Sequence, residues 1–394
     1  MRSNHRMVPK LRFAEFSGQW VKKRLGEVTK IVMGQSPKSQ FYNTNKKGLP
    51  LIQGADDFTK IHKYTTQITK ICEQNDIIMS VRAPVGTLTK AKERCCLGRG
   101  VCAIKANDFF YYLLDKERNR LQKYAQGSTF DAIGSKDLQS FQILIPPTLA
   151  EQEKIASFLS AIDVKISLQE QKIEQLEKYK KALLQKLFPT KDTKVPELRF
   201  PEFSGEWVEK RLGEIFIVKR GASPRPIQKF LSKVGINWIK IGDVESNSKY
   251  VVQTKEKIII DGANKSIRVY PNDFILSNSM SFGRPYISKI EGCIHDGWLL
   301  LRKKLKSIDI EYFYYNLLIS NIQKKFKSTA AGSTVNNLKV DSVKRVKILL
   351  SPTLAEQQKI ASFFSSIDEK IELEKEKLEK IKEYKKGLLQ KMFV

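Results

Sequence analysis

Five cysteines, three histidines and one short acidic run are the side chains whose types suit chemistry in this 394-residue chain. Cys72, Cys95, Cys96, Cys102 and Cys293 are odd in number and lack C-x-x-C spacing, which argues against a disulfide framework and against a zinc site. They read as buried free thiols of a reducing compartment. His5, His62 and His295 lie far apart in sequence. There is no G-x-x-x-x-G-K-[ST] loop to cradle nucleotide phosphates, no H-E-x-x-H pair, and no H-x-E…C-x-x-C set to activate water on zinc. "GRGVCAIK" at Gly98–Lys105 has two glycines but not the third of a dinucleotide fingerprint, and reads as a turn. "IPPT" at Ile145–Thr148 lacks the Asn or Asp, and the aromatic, with which an amino-methyltransferase holds its target amine. "DEK" at Asp368–Lys370 looks like a nuclease fragment but falls inside a long helical pattern. The expectation is a chain with no metal and no catalytic centre of its own.

Binding is the stronger theme. A formal charge of +28 needs an anionic partner or costs stability through self-repulsion, and nucleic acid is the usual partner. A membrane surface fits less well, because the charge is not gathered on one amphipathic helix. No apolar run approaches the roughly 20 residues of a membrane span. The first residues, "MRSNHRMVPKLRFAEF", carry no apolar core of a signal peptide, so the expected compartment is the cytoplasm.

The elements that must present such a surface are written twice. "PKLRFAEFSGQWVKKRLGEV" at Pro9–Val28 matches Pro196–Ile215 at 15 of 20 positions. Pro147–Phe188 matches Pro352–Phe393 at 27 of 42. Between these anchors only punctuation agrees: "GQSP" with "GASP", "NDIIMS" with "NDFILS", "QGST" with "AGST". The offset drifts from 187 to 197 to 205, as insertions in loops would make it. Each half is thus a shared arm, a divergent insert and a shared helix. β-branched runs and amphipathic stretches such as Asp108–Ala125 and Asp309–Phe326 make each insert an α+β domain.

Both helices start at a T-x-x-E capping box, Thr148 with Glu151 and Thr353 with Glu356, each preceded by proline. Apolar residues then recur at heptad spacing: Ile155, Leu159, Ile162, Ile166, Ile173, Leu176, Leu183 and Leu187, interrupted at Gln169 and Lys180. The second copy is interrupted at Glu374 and Lys385. An antiparallel pairing with Ile173 opposite Ile381 sets Lys180 against Glu374 and Gln169 against Lys385, and polar seam residues of this kind fix register. The expected fold is therefore α+β, with two pseudo-two-fold-related α+β domains separated by two long antiparallel coiled-coil helices. Each helical segment nets +1, so +26 of the charge lies in the arms and inserts, where a nucleic-acid surface belongs.

This pattern resembles the specificity (S) subunit of type I restriction–modification systems, over essentially the whole chain. The most specific parts are "ILIPPTLAEQEKIASFL" at Ile143–Leu159 with its copy, and "WVKKRLGEV" at Trp20–Val28 with "WVEKRLGEI" at Trp207–Ile215. The resemblance implies target recognition domains at 1–146 and 190–351, each reading half of a split, asymmetric duplex DNA target, and spacer helices at 147–189 and 352–394. It also implies two methylation (M) subunits, which bind S-adenosylmethionine and methylate adenine, and restriction (R) subunits that use ATP and Mg; this chain binds no cofactor itself. Side chains that read base edges are Arg, Lys, Asn and Gln on loops, with others on phosphate. The candidates are Gln35, Ser36, Lys38, Arg82, Arg99, Ser128 and Thr129 in the first insert. Their matches are Arg220, Ser223, Arg225, Asn278, Ser279, Arg284, His295, Ser333 and Thr334, with His295 answering to Arg99. Trp20 and Trp207 are assigned to packing. The outer helix faces and the "AEQ" starts, with Glu151, Gln152, Glu356 and Gln357, are the expected docking surfaces for M subunits. A stand-alone DNA-binding regulator or architectural protein is the competing reading.

Overall fold

The strand Ile77–Ser80 is buried at every position because both of its faces are covered. Side chains alternate across a strand, so Ile77 and Met79 enter one core and Ile78 another. That split organises the architecture throughout this computed structural model, which describes residues 7–55, 61, 63–126, 132–190, 193–245, 248–278, 283–305, 307–331 and 337–394. The chain divides into two units, Met1–Gln171 with Glu376–Val394, and Lys172–Lys375.

In the first unit a four-stranded antiparallel sheet has the order Lys30–Met33, Val101–Lys105, Ile77–Ser80, Leu88–Lys90. The helices Asp108–Lys116 and Arg118–Gln126 cover one face through Phe109, Leu113 and Leu121. The other face meets a five-stranded sheet through Cys72, Cys95 and Leu97, in which Leu49–Ile52 and Cys95–Leu97 run parallel. A separate ladder, Val21–Arg24 against Gln142–Ile145, brings the two ends of the insert together. Beneath it Trp20 is buried against Phe109 and Phe393.

The second unit repeats this plan. Its ladder pairs Val208–Arg211 with Lys347–Leu350. Its main sheet has the order Phe216–Arg220, Trp298–Lys303, Phe274–Ser277, Pro285–Ser288, Tyr250–Val251. Phe274 and Leu276 face the helices, while Ile275 faces the second sheet. Among the described residues the strand Tyr250–Val251 has no counterpart in the first unit's main sheet, and it lies in the interval where the repeat offset grows from 187 to 197. Trp207 is packed against Phe188 and Tyr312.

The long helices are continuous over Leu149–Lys186 and Leu354–Met392, and the boundary between units falls inside both. Within each unit their segments run antiparallel, as ion pairs show: Lys385–Asp163 and Lys382–Glu170 in the first unit, Lys172–Glu374 and Lys180–Asp368 in the second. Here the expected partners of the seam lysines are corrected. The cation of Lys180 sits on Asp368, and that of Lys385 on Asp163, while Glu374 takes Lys172. The reason is a third element. Tyr315 donates to Asp368 (2.7 Å) and Tyr112 to Asp163 (2.9 Å), and each ring lies 5.4 Å from the lysine ammonium. A carboxylate plus a π face holds a lysine better than a seam acid alone. Gln169 is half-buried.

The helix starts are corrected as well. Thr148 accepts from the Glu151 amide at 3.3 Å, and Thr353 from the Glu356 amide at 3.2 Å, as caps do. The carboxylates do not turn back to the caps. Arg12 grips Glu151 with two bonds (2.8 and 2.7 Å), and Arg199 grips Glu356 likewise (2.7 and 2.9 Å). Glu151 and Glu356 are each 1% exposed. Gln152 accepts from Asn107, and Gln357 from the Asp309 amide, both at 3.0 Å. These four side chains, expected to face a docking partner, are buried and bonded inside the units. A carboxylate this deeply buried needs a cation and its hydrogen bonds, and the arm supplies both.

Candidate nucleic-acid interface

Strand pairing decides which loops become neighbours. In the first unit Val101 pairs with Ser80 and Cys102 with Met33, so two strands end where the third begins. The loops leaving those ends carry Gln35, Ser36, Arg82 and Arg99 to one end of the sheet. In the second unit Arg220 pairs with Leu299 and Ser277 with Trp298, which gathers Arg220, Ser223, Asn278 and His295 in the same way. Leu276 pairs with Pro285, adding Arg284.

The loop after the first strand is pinned identically in both units. The Gly34 amide donates to the Val101 carbonyl and Gln35 to Leu97; Gly221 donates to Trp298 and Ala222 to Ile294. Glycine is required at both first positions, because a Cβ would stand 2.0 Å from the Gly98 oxygen or 2.1 Å from the His295 oxygen. Ser36 Oγ then accepts from the Arg99 amide (3.1 Å), and Ser223 Oγ from the Asp296 amide (3.3 Å). These matched bonds equate Arg99 with Asp296. The expected match to His295 is therefore one residue out.

Gln35, Lys38, Arg82, Arg99, Arg220 and Arg225 are exposed, as cations and amides that meet a duplex must be. Ser36, Ser223 and His295 are half-buried and brace turns. Asn278 is 1% exposed and donates to the Asp296 carbonyl, so it supports the turn and does not project from it. Arg284 is half-buried, its guanidinium 5.7 Å from the centre of the Tyr286 ring. Ser128, Thr129, Ser279, Ser333 and Thr334 lie outside the described residues. Asp296 is missing from the residues expected from sequence. Its signal was present: "HDG" stands before the strand Trp298–Lys303 as "GRG" stands before Val101–Lys105.

The rest of the chemical inventory is structural. All five cysteines are free and buried. Burial pushes the Cys102 thiol up to about 12, out of the range where it reacts as thiolate. Asp368 of "DEK" is occupied by Lys180 and Tyr315. Among the described residues no cluster of three or more His, Cys, Asp or Glu assembles to hold a metal, and no helix is long and apolar enough to cross a membrane.

Comparison with known proteins gives a consistent picture. The family described as "Type I restriction modification DNA specificity domain" matches residues 17–178 and 204–383. A Methanocaldococcus jannaschii protein provisionally named the MjaX type I restriction enzyme specificity subunit is 37% identical over 199 residues. That match spans 48% of this chain and only 47% of the relative. The MjaVIII specificity subunit of the same organism is 26% identical over 71% of this chain and 68% of its own length. The crystal structure of a type I S subunit from M. genitalium superposes with a TM-score of 0.61 at 20% identity, covering 98% of this chain and 99% of that one. That likeness shows the fold.

Proposed function

The chain belongs to the type I restriction–modification DNA specificity family, and from that premise we propose that it is the sequence-reading subunit of such a system. One observation carries the reading: each insert gathers exposed cations at one end of its main sheet, Arg82 and Arg99 beside the Gln35 amide in the first and Arg220 and Arg225 in the second, on loops pinned by the same backbone bonds. One scaffold presenting two different sets of side chains suits a split target whose halves differ. The basic charge outside the helices supplies phosphate affinity, and the loop tips supply base contacts.

In this reading the chain does no chemistry itself. Two methylation subunits bring S-adenosylmethionine and methylate adenine at N6, and restriction subunits bring ATP and Mg. The complex works on duplex DNA in the cytoplasm. With Glu151, Gln152, Glu356 and Gln357 buried, the docking surface is carried by the exposed apolar side chains of the helices. Leu149 and Leu354, Leu168 and Leu373, and Tyr179 and Tyr384 are exposed at equivalent positions in the two copies. Repetition of an exposed apolar set fits two copies of one partner.

The test is a methylome. Adenine methylation mapped with and without this gene should show one split motif that vanishes on deletion. Tight sequence-specific binding by the purified chain alone, with an unchanged methylome, would favour a stand-alone regulator instead.

A further inference from the structure

Asp296 is an acid at the tip of a turn on a basic face. Its two oxygens are treated differently. Oδ1 accepts from Ser223 Oγ and His295 Nε2, each at 2.9 Å. The Gly297 amide donates to His295 Nδ1 at 3.0 Å, which leaves the proton on Nε2 and makes it the donor. Among the described residues Oδ2 meets only the Arg225 guanidinium, at 3.7 Å, on a side chain that is 83% exposed. One oxygen is therefore locked and the other presented. Arg220 and Asn278 hold the backbone carbonyl of the same residue, at 3.3 and 3.4 Å. A groove of about 840 Å³ opens beside it, lined by Ser223, Arg225, Trp238, Lys240 and His295. Among the described residues, two buried polar atoms at the same strand ends, Asn278 Oδ1 and Arg284 Nε, find no hydrogen-bond partner.

A carboxylate near DNA phosphates weakens binding unless a donor meets it. We propose, resting on the function above, that Asp296 Oδ2 is the specificity-determining acceptor of the second insert and takes the exocyclic amino group of cytosine on the major-groove floor. At the equivalent turn tip of the first insert stands Arg99, exposed and suited to the acceptor edge of guanine. The same turn thus carries opposite charges and reads opposite hydrogen-bonding patterns in the two halves. Ser223 and His295 are positioning residues that aim the carboxylate.

The experiment expresses the full chain with its methylation subunits and maps methylated motifs for wild type, Asp296→Asn, Asp296→Ala and Arg99→Gln. Asp296→Asn and Asp296→Ala should relax or change one position in one half of the motif, lowering discrimination there about tenfold or more and leaving the other half intact. Arg99→Gln should act on one position of the opposite half. Ser223→Ala should relax the same position as Asp296→Ala, more weakly. If the Asp296 variants raise or lower methylation uniformly with the motif unchanged, the proposal is overturned, provided their melting matches wild type. A wild-type complex that yields no split motif would overturn the function itself, a distinct outcome.

Discussion

Lys385 and Asp163 meet at 2.6 Å beneath the ring of Tyr112, whose hydroxyl donates to the same carboxylate. The second unit builds the same clamp from Lys180, Asp368 and Tyr315. Each clamp ties two helix segments and the insert's own helix together at one point. The seam lysines are thus bolts between helix pair and insert.

Reversing one partner should destabilise, and reversing both should recover much of the loss. For Lys385→Asp with Asp163→Lys the expected coupling is about 1–3 kcal/mol, read from urea melts of the four proteins. The Lys180 and Asp368 cycle should agree, and should exceed a cycle on Lys180 and Glu374. Equal or larger coupling in the Glu374 cycle would restore the simpler seam register.

Glu151→Ala and Glu356→Ala should each lower stability by about 3–5 kcal/mol, because a buried arginine loses its partner. Arg12 and Arg199 are only 11% and 12% exposed at their side chains. Thermal melts measure this, and the folded fraction should still bind methylation subunits. Unchanged melting with lost assembly would return these residues to the docking surface.

Leu168→Glu and Leu373→Glu replace exposed side chains, so stability should change by less than about 0.5 kcal/mol. Native mass spectrometry should show each single variant losing one methylation subunit, and the double variant losing both. Full assembly of the double variant would move the docking surface elsewhere.

Tyrosine burial gives a pH signature. Tyr112, Tyr312 and Tyr315 are held above the ordinary value of 10.0, first by desolvation, and in Tyr112 and Tyr315 also by the neighbouring Asp163 and Asp368. The native state then keeps protons that the unfolded chain releases, so this stability is fully present below about pH 10 and falls as pH rises beyond it. Urea midpoints should be insensitive to these groups between about pH 7 and 9 and drop above about pH 10. Tyr112→Phe should flatten that alkaline slope while costing stability at neutral pH. An unchanged slope would contradict the burial.

Much of this was legible because duplication exposes constraint. The repeated arm, the Thr148 and Thr353 caps and the heptad stripe follow from local spacing, which needs no tertiary knowledge. The errors share one cause. Spacing along its own helix makes Glu151 a capping residue, yet its partner Arg12 lies 139 residues away. Heptad spacing pairs Lys180 within the seam, yet Tyr315 comes from the insert and meets it at Asp368. Sequence alone sets Arg99 one residue off its match, because the repeat offset drifts by ten between the two loops that meet there. Only hydrogen bonds across the sheet, from Ser36 and Ser223, restore the alignment and bring Asp296 forward.

The ladders Val21–Arg24 with Gln142–Ile145, and Val208–Arg211 with Lys347–Leu350, have a consequence for inheritance. An insert that leaves and rejoins the frame on adjacent rungs behaves as a cartridge. Recombination between the shared arm and the shared helix start can replace everything between, and the Lys–Asp pair of each clamp stays in place so long as the incoming insert brings a tyrosine where Tyr112 or Tyr315 stands. Vocabulary can then turn over by whole words, while the grammar that joins them stays fixed.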